Sequence, residues 1–224
     1  MNRMVKKNPG KIIMPTSYNP PLIYFVLMLY HKNIQIDIHE TYPKQTWRNR
    51  CRIMAANGIL DLSIPIEKPA YEPSVSGNVR VSDHLPWQRN HWRSIYSAYR
   101  KSPFFIHYAD LFEEIYLLSF SGRLIDWNTR LLKSLICELK LDCSVSFTKQ
   151  FIKEPYGLVD YRLRLTPKKL WHSFKWPGYH QVFGERHGFV SNLSIADLIF
   201  NLGPDSMDYL NECVRLNALQ LIEG

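Results

Sequence analysis

The common catalytic signatures are missing from this sequence. It has no G-x-x-x-x-G-K-[ST] phosphate loop, no G-x-G-x-x-G dinucleotide turn, no G-x-S-x-G nucleophile elbow and no H-E-x-x-H metal pair. The four cysteines, Cys51, Cys137, Cys143 and Cys213, form no C-x-x-C pair, and none lies at zinc-ligand spacing from a histidine. No two histidines stand at i, i+4 beside a carboxylate, so no metal is expected, and nothing identifies a cofactor. Long apolar runs are missing as well. The most apolar stretch, residues 22–30, is shorter than the about 20 residues that a membrane-spanning helix needs. The basic first residues lead into no compact apolar segment with a small-residue cleavage site. Scattered cysteines fit reduced thiols, most of them buried as small hydrophobes. These absences together predict a cytoplasmic protein without a transmembrane segment.

What is present argues for a folded core. The chain has 224 residues, of which 46% are hydrophobic and 13% aromatic, too many for long disordered stretches. Residues 1–10 read as a loose basic lead-in, and residues 11–224 as a single domain. A formal charge of +8 attracts anionic partners such as nucleotides, phosphosugars, nucleic acid or lipid headgroups. The basic residues are scattered, and no arginine-rich helix or RNP-type aromatic motif occurs, which argues against nucleic acid. An anionic small molecule, a nucleotide-sugar or another phosphorylated ligand, is the expected partner.

The hydrophobic pattern predicts the elements. Residues 11–14 form a short strand ended by Pro15, and Pro20 or Pro21 opens a helix running to about His31. That helix is apolar nearly all round, so it is buried on several sides. Ile34, Ile36 and Ile38 alternate with polar residues, as do Leu60, Leu62, Ile64 and Ile66 after the Asn57-Gly58 turn. Residues 48–55 pair with the second run as a hairpin, residues 67–77 form a surface loop, and residues 79–82 form a further strand. Three helices follow, over 86–100, 105–118 and 123–139, and then a strand over 144–148. Residues 154–178 are irregular. Ser194 or Asn192 caps a helix that Gly203 and Pro204 end, and a last helix starts near Asp205. The order predicts an α/β protein with a central mixed sheet, covering helices and a helical middle section.

Three segments could carry chemistry. Between two strands, Lys44, Arg48 and Arg50 could bind phosphate or carboxylate, with Asn49 adding donors and an acceptor. A solvated basic hairpin explains them equally well. On the first middle helix, His91 stands among Trp87, Trp92 and Tyr99 and could act as a general acid or base. Taken alone, a histidine satisfied inside an aromatic core is the simpler account. Third, His180 could be oriented by Asp197, which lies early in the capped helix and would also favour that helix's positive end. The start of the same helix could instead receive an anion on its backbone amides.

Together these segments carry a resemblance. Pro15-x-x-Tyr18-x-Pro20-Pro21-x-x-Tyr24-Phe25 resembles the opening motif of WbqC-like proteins. Arg48-Asn49-Arg50-x-x-Ile53 resembles their R-N-R-x-x-I block, and Leu62-Ser63-Ile64-Pro65-Ile66 the strand that follows. Trp87, His91, Ile95 and Tyr99 are spaced as in their middle helix, and residues 181–204 are similar to their closing block. The chain departs from the longer members at Met14, where they carry glutamine, and looks like a shorter subgroup. The resemblance implies a setting in O-antigen or other surface polysaccharide biosynthesis and attaches no reaction. The expectation is a cytoplasmic group-transfer enzyme acting on an activated sugar or similar phosphorylated molecule. Lys44, Arg48, Asn49 and Arg50 would hold the ligand, Tyr18 would wall the pocket, and His91 or His180, with Asp197, would move a proton. The alternatives are a non-catalytic binding or scaffolding protein of the same pathway and, further off, a nucleic-acid-binding protein.

Overall fold

A computed structural model describes residues 10–68, 74–168, 171 and 173–223. The predicted lead-in therefore lies outside the described residues apart from Gly10, and so does the middle of the predicted 67–77 loop. Four strands build one sheet: β1 (Ile12–Pro15), β2 (Asn33–Asp37), β5 (Ser144–Phe147) and β6 (Val159–Asp160). Their order is β5-β2-β1-β6, and every pairing is parallel. Among the named strands, antiparallel pairing is confined to a separate hairpin of β3 (Arg50–Ala55) and β4 (Gly58–Ser63). The expected α/β architecture is present, with its two kinds of pairing divided between two sheets.

Burial explains the element types. Ile12, Ile13 and Met14 are all fully buried, as an inner parallel strand covered on both faces requires. Helix α1 (Leu22–His31) is buried at each of its first seven residues and packs against α6 (Ile195–Leu202) and α7 (Ser206–Leu216). Helices α2 (Trp87–Tyr99), α3 (Phe105–Leu117) and α4 (Leu124–Glu138) each bury one stripe, which matches the predicted helical middle. The short α5 (Gly184–His187) reaches the hairpin tip, where Arg186 Nη1 donates to the Ala56 carbonyl at 2.8 Å. A short α8 (Ala218–Glu223) follows α7. Among the described residues, no helix is long and apolar enough to cross a membrane.

Some elements depart from the pattern. The predicted strand at 79–82 is reduced to isolated bridges, Ile66 with Val81 and Arg80 with Arg123. In the alternating run, Leu62 and Ile64 are buried but Leu60 is 37% exposed, because β4 ends at Ser63 and its tip faces solvent. Strand β6 arises inside the stretch expected to be irregular. Its two residues pair with Ile12 and Ile13 and close the far edge of the sheet. Of the cysteines, Cys51 and Cys213 are buried, Cys143 is partly covered and Cys137 is exposed, so the small-hydrophobe role holds for half of them.

The predicted capping of α6 takes an unexpected form. Ser194 occupies the N-cap position, but its hydroxyl has no hydrogen-bond partner. Asn192 caps a different helix: its Oδ1 accepts the Ile23 amide at 2.9 Å, in the first turn of α1. Leu22 N donates to the Leu193 carbonyl at 3.0 Å, and Ile195 N donates to the Pro20 carbonyl at 2.9 Å. The starts of α1 and α6 are thus stitched together, and each supplies the acceptors that the other's free amides need.

Gly203 ends α6 as predicted, with a φ of +53°. A Cβ there would overlap the Phe104 ring, besides straining the backbone. Gly203→Ala should cost roughly 2–4 kcal/mol in urea unfolding, as overpacking adds to the left-handed penalty.

Candidate functional site

In open α/β sheets, ligands bind beyond the carboxyl ends of the strands, where the strand order reverses. Here β1 and β2 run outward to β5, while β6 lies on the other side of β1. The reversal therefore falls between β1 and β6. Between β2 and β5 the chain leaves the sheet for more than a hundred residues, and this excursion folds back over the strand ends. Tyr18 N donates to the Trp47 carbonyl at 2.8 Å, and Asn128 Nδ2 bonds both Thr16 Oγ1 at 3.1 Å and the Arg48 carbonyl at 2.8 Å.

Charged side chains lie beneath this roof. Arg48 is 1% exposed and grips Glu40 with both prongs, Nε to Oε1 at 2.7 Å and Nη2 to Oε2 at 2.6 Å. Arg162 donates to Asp37 Oδ2 at 2.7 Å and to Asp160 Oδ2 at 2.7 Å. Burial opposes ionisation of Asp160, but the Arg162 fork prevails and holds its carboxyl below the usual carboxylate range. Arg48 has no free face for a ligand. Its guanidinium is committed to Glu40, to Thr46 Oγ1 at 3.3 Å and to the Arg162 carbonyl at 3.4 Å. Asn49 is likewise buried and ties the roof to the hairpin, with Nδ2 donating to the Ile64 carbonyl at 3.0 Å.

Arg50 is different. It is half-buried, and among the described residues no ion pair or hydrogen bond engages its side chain; its Nε is buried without a partner. Tyr42 Oη is also buried without a hydrogen-bond partner. Burial pushes its pKa up to about 12, against the opposing pull of Arg48 and Arg50. Asn49 Oδ1 and Asn128 Oδ1 complete a set of unpartnered polar atoms around residues 48–50. Lys44, on the same loop, is exposed.

A buried string of hydrogen bonds adjoins this region. Tyr116 Oη lies 2.6 Å from Tyr18 Oη, which lies 2.8 Å from His91 Nδ1. Burial drives the His91 pKa down to about 4, with the Ser63 carbonyl opposing it weakly. Burial likewise holds both tyrosines well above their usual range. Burial keeps the imidazole neutral, and its Nδ1 shares a hydrogen bond with the Tyr18 hydroxyl, which also bonds the Tyr116 hydroxyl. His91 and Tyr116 together hold Tyr18 in position.

The Asp197 carboxylate forms a separate cluster across β3. It is fully buried and accepts on Oδ2 from Tyr179 Oη at 2.5 Å and from Gln181 Nε2 at 2.8 Å. The Tyr99 hydroxyl accepts the Met54 amide at 3.1 Å, and the other carboxylate oxygen, Asp197 Oδ1, is buried without a hydrogen-bond partner. Burial outweighs these bonds and raises the Asp197 pKa. His180, between Tyr179 and Gln181, is exposed and makes no bond to Asp197. At the start of α6 the Ile195 amide is held by the Pro20 carbonyl and the Asp197 amide by the Ser194 carbonyl.

Residues 16–161 match the WbqC-like protein family. This span covers the strand-end roof, the Arg48–Arg50 block and the Tyr18–His91–Tyr116 string. The chain belongs to the WbqC-like family. A relative, the uncharacterized protein Rv1507c of Mycobacterium tuberculosis, is 26% identical over 229 residues, covering 90% of this chain and 97% of that protein. No solved structure matches.

In this WbqC-like chain, the fold gathers Tyr18, Arg48, Asn49, Arg50 and His91 at the end of β1. It sets Asp197 beyond β3 and leaves His180 and Lys44 at the surface. Sequence reasoning missed Glu40, Tyr42, Tyr116 and Arg162. Glu40 and Tyr42 flank the basic loop, so an acid eight residues before a basic block was the available signal. Tyr116 and Arg162 have no such local cue. No group of three or more metal-binding side chains occurs among the described residues.

The buried His91 makes stability depend on pH. An unfolded imidazole takes up a proton below about pH 6.5, the folded one only near 4, so the unfolded chain binds more protons between those values. Stability should therefore fall as pH drops through that window. Linkage puts the His91 share on the order of 3 kcal/mol. Urea unfolding at pH 7 and pH 4.5 should show a smaller difference in His91→Gln than in the parent protein.

Proposed function

We propose that this WbqC-like protein binds a phosphorylated small molecule, an activated sugar in the first instance, at the carboxyl end of its parallel sheet and acts there in group transfer. The setting in this reading is surface polysaccharide biosynthesis inside the cell. The observation that carries it is the contrast between two arginines of one block. Arg48 is neutralised by Glu40, whereas Arg50 has no carboxylate and stands beside the unpartnered Tyr42 hydroxyl. A buried polar group without a partner costs about 1–3 kcal/mol, more when charged, and an anion accepting from both groups would recover that cost. Guanidinium geometry suits phosphate or carboxylate oxygens. The +8 charge favours the encounter. Lys44 lies on the same loop and screens the incoming anion. His91 positions Tyr18; His180 lies at the surface on the Asp197 side, outside the group gathered at the end of β1, and has no part in the transfer.

Thermal-shift measurements against nucleotides, nucleotide-sugars, acyl-CoA and amino acids test this. A ligand selective for the native state raises the melting temperature by mass action. A nucleotide-sugar or sugar phosphate should shift the parent protein. Arg50→Ala should abolish that shift while changing unliganded stability by less than about 1 kcal/mol, since no native bond is lost. Tyr42→Phe should weaken it. Retained binding in an Arg50→Ala protein that has lost stability would sink the reading.

A further inference from the structure

A concavity opens beside Trp47, at the margin of the strand-end roof, and none of the chemistry described so far uses it. It is a cleft of about 520 Å³, within the roughly 300–1,000 Å³ of small-molecule sites. Its walls come from three parts of the chain: Trp47 and Arg52, then Trp171, Phe174 and Trp176, then residues 189–193. Three of the protein's six tryptophans line it, which concentrates aromatic surface far beyond a chance share.

The charges of this cleft cancel. Arg52 donates Nε to Asp61 at 2.9 Å and stacks over the Trp47 ring at 5.4 Å, so an anion gains little there. The ring geometry excludes a slot for a flat base. Phe174 meets Trp171 at 87° and Trp176 at 41°, and neither pair is parallel with a gap between the rings. The rings form a curved basin. Fixed donors stand at its edge. Asn192 Oδ1 is pinned by the Ile23 amide, which orients its Nδ2, and among the described residues neither that Nδ2 nor the Arg52 Nη groups meet a hydrogen-bond acceptor. A purely apolar ligand would bury those donors unsatisfied, at about 1–3 kcal/mol each.

A neutral ligand with C–H faces for the rings and hydroxyls for the edge meets all of these conditions. We propose that the cleft is a binding site for a short neutral saccharide, whose pyranose faces lie on Trp171 and Trp176 and whose hydroxyls accept from Asn192 Nδ2 and Arg52 Nη. Ring C–H groups over indole contribute apolar burial and weak C–H contacts, while the hydroxyls set orientation. Arg50 and Arg52 are two residues apart on β3 and so lie on the same face of that strand. This site does not depend on Arg50, because it takes an uncharged ligand.

Intrinsic tryptophan fluorescence and calorimetry on the full chain test it directly. The probes are neutral trisaccharides of glucose, galactose, mannose and N-acetylglucosamine, with adenosine and an apolar dye for comparison. One saccharide should give a saturable spectral change. Trp176→Ala and Phe189→Ala, at partly exposed rings, should each weaken it about tenfold or more. Both variants should melt near the parent temperature, and Arg50→Ala should bind the saccharide unchanged. No response to any saccharide, a response only to adenosine or the dye, or saccharide binding untouched by both variants would overturn the proposal.

Discussion

Five charged side chains placed at one end of a small parallel sheet set the terms for the rest of this molecule. Asp37, Asp160 and Arg162 close directly over the strand ends, and Glu40 with Arg48 lies above them. A charge out of water is tolerated only when paired and hydrogen-bonded, so each of these groups dictates the position of another. The Asp37–Arg162 bond joins β2 to the segment after β6, and the Arg48–Glu40 pair anchors the excursion that carries the hairpin and the three middle helices. That pairing acts with the Tyr18 and Asn128 bonds to hold the excursion over the sheet.

Because the roof is held by pairing, what it leaves unpaired stands out. Arg50 follows Arg48 by two residues and differs from it only in having no acid, and the same neighbourhood holds the unpartnered oxygens of Tyr42, Asn49 and Asn128. The aromatic interior works the other way. Trp87, Trp127, Tyr116 and Tyr18 meet edge to face around His91, and burial keeps that imidazole neutral. One side of the β1 loop is thus saturated and rigid, and the other holds polar atoms that the protein itself does not satisfy. The WbqC-like match spans both sides.

Much of this could be read from the sequence, for identifiable reasons. Helix α1 announced itself because an apolar nine-residue run after two prolines has few other fates, and α6 because Gly203 and Pro204 stop it. Strand β6 stayed hidden because two residues carry no periodicity; its pairing is decided by β1, far away. The choice of Arg48 as a ligand arm rested on residue type, which cannot reveal that Glu40 already occupies its fork. His180 illustrates a different limit. In an extended stretch, alternate side chains point oppositely, so Tyr179 and Gln181 turn together toward Asp197 and the histidine between them faces solvent. The sequence singled out His180 and could not tell that its two neighbours were the ones turned inward.

The stitching of α1 to α6 also governs the order in which the protein can be made. The side chain that caps α1 lies 169 residues downstream of the amide it binds. The strand that completes the outer side of β1 likewise comes from residues 159–160. A chain emerging from the ribosome therefore exposes its most apolar helix long before its cap and covering strand exist. Contacts of such separation are slow to form, and the waiting surface is prone to association. Assembly of this fold is a late event, and its most apolar helix waits longest for its cap.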